Sequence, residues 1–452
     1  MAQAYQLIQA QTLTSTAATV TFSNIPQNYT DLILKVSARS DGADDYGQIT
    51  FNGSSANFTR KFLIGTGSGF NNNSFSNNSF LTVNPSGYTT NTFATVEYYI
   101  SNYTGSNNKS INLDAVTENN ATAASAILQT VLWSNSAALT SISMNCNTGN
   151  FVSGSTFYLY GVGGQRASGG TITADSKYTY HTFTSSGTFT ALEKIKNAEV
   201  LVVAGGAAGG TNGAGGGGAG GVGYGTPQTF SAGTSFSAII GAGGAGASGA
   251  SGTGSVGNNG SNSYFSNITA IGGGGGGGWN GSSAFVAANN GGSGGGTPGV
   301  LSPAATSTQT SGTNFIGYGN SGGLSALIGS NWFGGGGGGA GSAGGVPSSP
   351  FAGVGGTGTS LFASWGYATS TGQNVSGMIY YAGGGGGAND VRTSNTYGGL
   401  GGFGGGGAGG GVTGTAGTAN TGGGGGAASY GNGSTQTSGA GGSGIVIVRY
   451  PN

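Results

Sequence analysis

The chain has 452 residues, with 11 basic and 11 acidic side chains and a formal net charge of zero. The sequence contains no run of basic residues, which argues against nucleic acid and against an anionic membrane surface as partners. No segment approaches the ~20 consecutive apolar residues that a membrane-spanning helix needs, so membrane insertion is not expected. The single cysteine, Cys146, excludes an intrachain disulfide and a cysteine-based zinc cluster.

Charge and glycine divide the chain into two parts near residue 200. Of the 22 charged residues, 19 precede that position, and Asp390, Arg392 and Arg449 follow it. Glycine shows the opposite distribution, with 88 of its 104 residues after position 200. We therefore expect an N-terminal domain at residues 1–164, a linker at 165–177 and a glycine-rich domain at 178–452.

Residues 1–164 show the two-residue alternation that is typical of half-buried strands. In DLILKVSARS, for example, Leu32, Leu34, Val36 and Ala38 face one way while Lys35, Ser37 and Arg39 face the other, with Ile33 the exception. Similar runs, separated by turn-forming Asn, Gly and Ser, lie at residues 18–22, 47–51, 93–100, 110–116, 126–133 and 156–162. These short strands, with no helical period, predict an antiparallel β-sandwich of the jelly-roll type. An immunoglobulin-like topology is the alternative.

The glycine-rich domain begins and ends in apolar, strand-like segments. YTYHTFTSSGTFTAL and AEVLVVAGG lie at its start, and GGSGIVIVRY lies at its end. Long glycine runs recur between them, several directly beside Trp or Tyr. Flexible linkers seldom carry such aromatic residues, and an exposed IVIV edge would favour aggregation. We therefore expect this domain to be ordered.

The arrangement of glycine predicts a particular kind of order. Glycine does not occupy every third position, which excludes a collagen triple helix. Without a Cβ, segments can form polyproline-II-like helices that approach one another closely on every side. Ordering a residue costs ~1–2 kcal/mol and a backbone hydrogen bond returns a net ~1 kcal/mol, so only a lattice of several helices is expected to be stable. The sequence thus predicts packed polyglycine-II helices with short flanking β-strands.

From about Tyr180 to Tyr450 the sequence resembles the glycine-rich domain found at the C-terminal end of many bacteriophage tail-fibre and adhesin-like proteins. The matching stretches are HTFTSSGTFT, VLVVAGGAAGG, the glycine runs, NNGSNSYF and the terminal GGSGIVIVRY. The N-terminal NIPQNYTDLILKVSARSD is similar to domains in structural proteins of phages. The resemblance implies a rigid polyglycine-II core whose linking loops form a receptor-binding tip.

Catalytic chemistry has few candidate residues. The one histidine, His181, lies in the opening strand, where a structural role is expected because a general base needs a positioned partner. After residue 200 the only carboxylate is Asp390, whereas a glycosidase needs two. Asp41, Asp44 and Asp45 are weak candidates for a metal site, since their loop lacks the spacing of an EF-hand. We expect no cofactor and no enzymatic activity.

Aromatic side chains between the glycine runs are the strongest candidates for recognition, because they offer large, stiff contact faces. The alternative is that they pack within the domain or between subunits. We assign to receptor-binding loops Trp279, Phe285, Trp332, Phe333, Trp365, Tyr367 and Tyr397, together with the opposite charges Asp390 and Arg392.

With the resemblance, these loops indicate a non-enzymatic virion protein, a tail fibre or tip adhesin that recognises a host surface glycan or outer-membrane protein. Contacts with other virion proteins are expected, as is a homotrimer, because fibres usually have cyclic symmetry. A capsid-decorating or head-fibre protein is the alternative. A depolymerase that cuts surface polysaccharide is disfavoured by the scarcity of acids.

Overall fold

A computed structural model of the chain describes residues 5–66, 69–76, 80–120, 125–250, 252–280, 285–299, 302–389, 397–430 and 434–452. These residues form many antiparallel strands and one short helix, and they confirm the predicted all-β class. They divide into two compact units, residues 1–165 and 166–452. Within the described ranges, no helix has the length and apolar character needed to cross a bilayer.

The first unit is a sandwich of two antiparallel sheets, as the alternation predicts. Its strands are β1 (Tyr5–Thr12), β2 (Thr19–Phe22), β3 (Asp31–Ala38), β4 (Tyr46–Phe51), β5 (Phe58–Gly65), β6 (Phe70–Ser76), β7 (Leu81–Thr82), β8 (Ala94–Ile100), β9 (Lys109–Val116), β10 (Ala126–Trp133), β11 (Ile142–Cys146) and β12 (Thr156–Val162). The larger sheet has the order β1-β12-β3-β8-β9-β10-β5-β6, and the smaller sheet has the order β2-β11-β4-β7.

Alternate residues of both sheets meet in one core. In β9 and β10 every second side chain is buried, as the period of a strand requires. Trp133 joins the two sheets, with its ring centroid 5.4 Å from that of Phe51 and 6.1 Å from that of Phe58. Cys146 lies in the same core, and burial raises the pKa of its thiol to about 11. The thiol is therefore protonated and unreactive at neutral pH.

The second unit contains two larger sheets and several two-stranded hairpins. Its elements are β13 (Ala167–Ser168), β14 (Thr171–Ala174), β15 (Tyr178–Phe183), β16 (Gly187–Ala191), β17 (Ile195–Val203), β18 (Val222–Phe230), β19 (Ser235–Ile239), β20 (Ser248–Gly249), β21 (Ser263–Phe265), β22 (Ile268–Ala270), β23 (Gly278–Trp279), β24 (Phe285–Val286), β25 (Phe315–Tyr318), β26 (Ala326–Ile328), β27 (Asn331–Phe333), α1 (Ala363–Thr369), β28 (Gln373–Val375), β29 (Met378–Tyr380), β30 (Gln436–Thr437) and β31 (Ile445–Pro451). The larger sheets have the orders β14-β15-β31-β17-β18-β25 and β13-β16-β19-β21-β22.

Of the expected linker at residues 165–177, residues 166–177 belong to the second unit. They contribute β13 and β14, which pair with β16 and β15. An ion pair between Arg166 and Glu193 holds the start of this segment. At its end, Asp175 accepts hydrogen bonds from the backbone N–H groups of Lys177 and Tyr178. These contacts and the strand pairing fix the segment to the sheets of the second unit. Its glycine-rich and polar sequence does not predict this pairing.

Both faces of the six-stranded sheet are buried. Val200 and Val202 face the five-stranded sheet, where they join a cluster of phenylalanines. Leu201 and Val203 face the opposite way and pack in a second cluster with Trp365 of α1. A strand that is buried on both faces has a continuous apolar sequence, which explains the VLVV and IVIV runs of β17 and β31.

An ion pair lies within the six-stranded sheet. Arg449 and Glu199 are directly opposite each other on β31 and β17, and the Arg449 Nη2 atom is 2.6 Å from Glu199 Oε2. The guanidinium also lies 4.3 Å from the ring centroid of Trp365 and 4.2 Å from that of Tyr178. Burial, and then the hydrogen bond donated to Glu199, raise the pKa of Tyr224. These contacts hold α1 against the sheet.

Between the strands, the glycine-rich segments form rods that bond sideways to one another. In residues 205–211 every third N–H donates to one neighbouring segment, and the successive acceptors step back by three residues. The pairs are Gly205 to Ser261 at 3.0 Å, Ala208 to Asn258 at 2.9 Å and Thr211 to Ser255 at 3.0 Å. The intervening N–H groups donate to other segments. A period of three is that of the polyproline-II helix, so the predicted lattice of polyglycine-II rods is confirmed.

Residues 214–221 form the central rod of this lattice. Their N–H groups donate to residues 271–277, 335–338 and 422–425, and their carbonyls accept from residues 204–210, 293–296 and 385–388. One rod thus has six neighbours, the number that hexagonal packing of cylinders gives. Every residue from 201 to 223 is buried. The rods therefore satisfy their backbone groups in the interior without forming a sheet.

The seven glycines at 272–278 are required by the close approach of neighbouring backbones. A Cβ on Gly275 would lie 1.8 Å from the carbonyl oxygen of Gly257. None of the residues 272–278 has a positive φ, so the backbone conformation itself is open to any L-residue. The space between rods, and not the conformation, excludes side chains here.

We expect Gly275→Ala to lower the free energy of unfolding of the second unit by about 1–3 kcal/mol or more, because the added methyl group overpacks the lattice. Chemical denaturation, together with amide hydrogen exchange over residues 205–221, measures the effect. Gly65→Ala in the first unit is the control, because among the described residues no atom beyond its chain neighbours lies within 4 Å of a Cβ built on Gly65. Equal stability of Gly275→Ala and the wild-type protein would contradict the role assigned to close packing.

His181 is buried in the second unit and makes two hydrogen bonds. Its Nδ1 atom lies 2.7 Å from the carbonyl oxygen of Gly169, and its Nε2 atom lies 3.0 Å from the hydroxyl of Tyr450. Because a carbonyl only accepts, Nδ1 carries the proton and Tyr450 donates to Nε2. Burial lowers the pKa of His181, while the bond to Gly169 acts in the opposite direction. His181 is therefore a buried residue whose two ring nitrogens are both bonded within the unit.

The buried, neutral form of His181 should make stability depend on pH. Its folded-state pKa lies below the ~6.5 of an unfolded histidine. The stabilisation is therefore present above about pH 6.5 and is lost as the pH falls towards the folded-state pKa. Between about pH 7 and pH 5 we expect the free energy of unfolding to fall more steeply for the wild-type protein than for His181→Gln. Denaturant titrations at both pH values test this, and parallel slopes would disprove it.

Candidate functional site at the tip of the rods

The rods run between two opposite ends of the second unit. β17 continues directly into the rod at 204–210, and the rod at 214–221 returns into β18. The rods at 271–278 and 438–444 join β22 and β31 in the same way. We call the end that carries these strands the base. The opposite end, where outgoing and returning rods are joined by loops, is the tip.

Loops that are far apart in the sequence meet at the tip. Three aromatic pairs connect them, each formed by two different loops: Trp279 with Tyr430 at 6.3 Å, Phe285 with Trp332 at 5.8 Å and Phe351 with Tyr397 at 5.9 Å between ring centroids. The described residues of these loops carry no charged side chain. The tip is therefore an uncharged, aromatic surface in the part of it that the structure describes.

Trp279 follows the glycine run at 272–278 without a gap. Its carbonyl oxygen accepts hydrogen bonds from the N–H of Gly254 at 2.7 Å and from Asn212 Nδ2 at 2.8 Å. The ring is half-buried against Tyr430. Two neighbouring loops thus fix the backbone of Trp279, while part of its ring stays accessible to a partner.

The hairpin of β26 and β27 carries the second aromatic pair. Trp332 is half-buried and makes an edge contact with Phe285. Leu327, which pairs with Trp332 across the hairpin, is 51% exposed. Phe333 points the other way and is buried, so the contact role expected for it is excluded in this conformation. The two-residue alternation of a strand separates these neighbours.

The third pair joins Phe351 and Tyr397. Phe351 is 51% exposed and Tyr397 is half-buried, and the N–H of Ala352 donates to the carbonyl oxygen of Tyr397 at 2.8 Å. Asp390 and Arg392, the charges assigned to the same loop as Tyr397, lie outside the described residues.

Trp365 and Tyr367 lie at the base, not at the tip. Both belong to α1, which packs on the six-stranded sheet. Trp365 is 2% exposed and contacts the rings of Tyr180 and Tyr224, so its burial excludes the expected receptor contact. Tyr367 is 52% exposed, and its hydroxyl donates to the carbonyl oxygen of Gly377.

The three aspartates considered for a metal site belong to the first unit. Asp41 Oδ1 accepts from the N–H of Asn150 at 2.6 Å, and Asp44 Oδ2 accepts from Asn147 Nδ2 at 2.7 Å. Asp45 is exposed. Among the residues that the structure describes, no group of three or more His, Cys, Asp or Glu side chains could hold a metal ion. The carboxylates of Asp41 and Asp44 instead join their own loop to the loop at residues 147–150 by hydrogen bonds.

Fully buried polar side chains lie directly beneath the tip. Ser429 Oγ donates to Asn389 Oδ1 at 2.8 Å, and Asn212 Nδ2 donates to the carbonyl oxygen of Trp279. Among the described residues, Asn212 Oδ1 and Asn389 Nδ2 have no hydrogen-bond partner, and buried groups of this kind usually bind ordered water. The sequence did not single out these residues, since Asn and Ser are abundant throughout the chain. The only sequence feature that marks these residues as buried is their position next to runs of Gly and Ala.

The second unit matches a known family. Residues 182–451, more than half of the chain, match the family model described as a glycine-rich domain. The protein therefore belongs to the glycine-rich domain family. No curated protein shows a significant match to the chain.

We expect Asn212→Ala to loosen the Trp279 loop, because a buried hydrogen bond to the Trp279 carbonyl is lost. Amide exchange at Gly254 and Trp279 should become faster, and the free energy of unfolding should fall by about 1–3 kcal/mol. Asn258→Ala removes a comparable but exposed bond to the carbonyl of Ala245 and serves as the control. Unchanged exchange in Asn212→Ala would show that the amide does not support the loop.

Proposed function

We propose that this protein is a non-enzymatic bacteriophage virion protein, a tail fibre or tip adhesin whose tip loops bind a host surface glycan or outer-membrane protein. The observation that carries the proposal is the meeting of three inter-loop aromatic pairs at one end of the rods. Aromatic rings offer a large contact area at low entropic cost. A lattice that holds the loops in one conformation before the partner binds further reduces the entropic cost of ordering them.

The first unit would then attach the protein to the virion or to other virion proteins, and the second unit would project the tip. A homotrimer is the proposed assembly, since fibres usually have cyclic symmetry. The alternative is a capsid-decorating or head-fibre protein with the same two units. Immunogold electron microscopy of intact particles separates these proposals, because label on the tail favours the adhesin and label on the head favours the alternative.

The positions of the acidic residues argue against a depolymerase. In the described part of the second unit the acidic side chains are Asp175, Glu193 and Glu199. Glu193 pairs with Arg166 and Glu199 pairs with Arg449, while Asp175 accepts hydrogen bonds from the backbone of Lys177 and Tyr178. All three carboxylates are held by these partners near the strands of the base, whereas a glycosidase needs two carboxyl groups that face one substrate. Release of reducing ends from host polysaccharide by the purified protein would overturn the non-enzymatic proposal.

The receptor contact can be tested with two aromatic variants of the full-length protein. We expect the double variant Phe285→Ala/Trp332→Ala to bind host cells at least about tenfold more weakly, because aromatic anchors dominate binding energy. The measurement is flow cytometry of fluorescently labelled protein on a panel of Gram-negative strains that includes a strain bound by the wild type.

Tyr367→Ala is the matched control, since it removes an exposed aromatic ring at the base. The control should bind as the wild type does. Equal binding by the tip variant, or an equal loss in the control, would place the receptor contact elsewhere. Circular dichroism and thermal unfolding show whether each variant remains folded.

A further inference from the structure

Three neighbouring rods at the side of the second unit carry large apolar side chains outward. The rods are residues 342–346, 352–358 and 398–403, joined by bonds of 2.8 Å from Gly345 N–H to the Val354 carbonyl and from Gly355 N–H to the Leu400 carbonyl. Exposure follows the three-residue period: residues 351, 354 and 357 are exposed and the residues between them are buried. The apolar rod face consists of Val346, Phe351, Val354, Leu400 and Phe403, which are 47–72% exposed.

Two other peripheral rods do not carry such side chains. In the rods at 241–247 and 414–418 the exposed positions include Ala242, Ala245, Thr415 and Thr418. The lattice is thus complete with small residues at its outer positions, and the large apolar residues of the apolar rod face are not required for folding. A contiguous exposed patch of this kind marks an interaction surface.

We infer that the apolar rod face binds a second copy of this chain. A rod with three residues per turn and a rise of ~3.1 Å presents an outward side chain every ~9 Å. Ridges and grooves at this spacing fit the same face of another copy, and in the proposed homotrimer the faces of three copies meet around the three-fold axis. The five side chains expose roughly 500 Å², to which the backbone between them adds, and a standard interface buries about 800 Å² per partner.

The chemistry of the face favours this occupant over a lipid surface. The described residues of its three rods include no charged side chain, whereas attraction to anionic lipid relies on clusters of Lys and Arg. An uncharged face meets its own copy without like-charge repulsion. The inference rests on the homo-oligomer of the proposed function, to which it gives a contact surface. Phe351 belongs both to this face and to the third aromatic pair of the tip, so the test uses Val354 and Leu400, which lie outside the tip.

The test is the mass of the full-length protein in solution. Sedimentation equilibrium should show the wild-type protein as an oligomer, and Val354→Lys/Leu400→Lys should weaken association at least tenfold by placing like charges in the contact. Both positions already carry an outward Cβ, so the lattice accommodates the change. Ala245→Lys/Thr415→Lys adds the same charge to other rods and should associate as the wild type does.

A monomeric wild-type protein overturns the inference, and that outcome would leave a partner from another protein as the occupant of the face. Unchanged association in Val354→Lys/Leu400→Lys, or equal loss in the control, overturns it as well. Thermal unfolding establishes whether the lysine variants fold. If they do not, Val354→Ser/Leu400→Ser provides the same comparison without charge. Cell binding by the tip variants is a separate measurement, so the receptor proposal fails or holds independently.

Discussion

The second unit depends on hydrogen bonds between backbones that only glycine allows to approach so closely. The central rod donates to three neighbours and accepts from three others. Each bond returns a net ~1 kcal/mol, about what it costs to order one residue. No single rod is therefore stable by itself, and a rod at the centre gains its bonds only when its neighbours are in place. The lattice consequently has to form cooperatively.

The six-stranded sheet aligns the rods that continue from its strands. β17 and β31 are paired, and the rods that continue them remain bonded, with Gly206 donating to Gly442 at 2.9 Å. The apolar faces of both strands fix their register, and the Glu199–Arg449 pair lies within the same register. The sheet thereby holds the two rods that continue it in register. The apolar core around this sheet and the glycine lattice are therefore continuous, because the rods are direct extensions of β17 and β31.

Much of this fold follows from the sequence, and the exceptions have physical causes. The alternation in β10 and β12 predicts both strands to the residue. By contrast, β6 has the sequence FNNNSFS and is exposed along its whole length, so no apolar period reveals it. In the five-stranded sheet of the second unit, β16 lies in a predicted strand-like segment, whereas β21 and β22 are not predicted because they have three residues each. Strands this short are specified by their tertiary contacts.

The candidate site shows a different limit, because the direction of each rod decides where the next aromatic residue lies. Trp332 and Trp365 both stand between glycine runs, yet an outgoing rod precedes Trp332 and a returning rod precedes Trp365, so they lie at opposite ends. A sequence without a rod count does not distinguish them. The same alternation separates two kinds of residue. Glycines inside the rods are fixed by backbone contact, whereas the aromatic side chains at the tip are joined by ring contacts between loops.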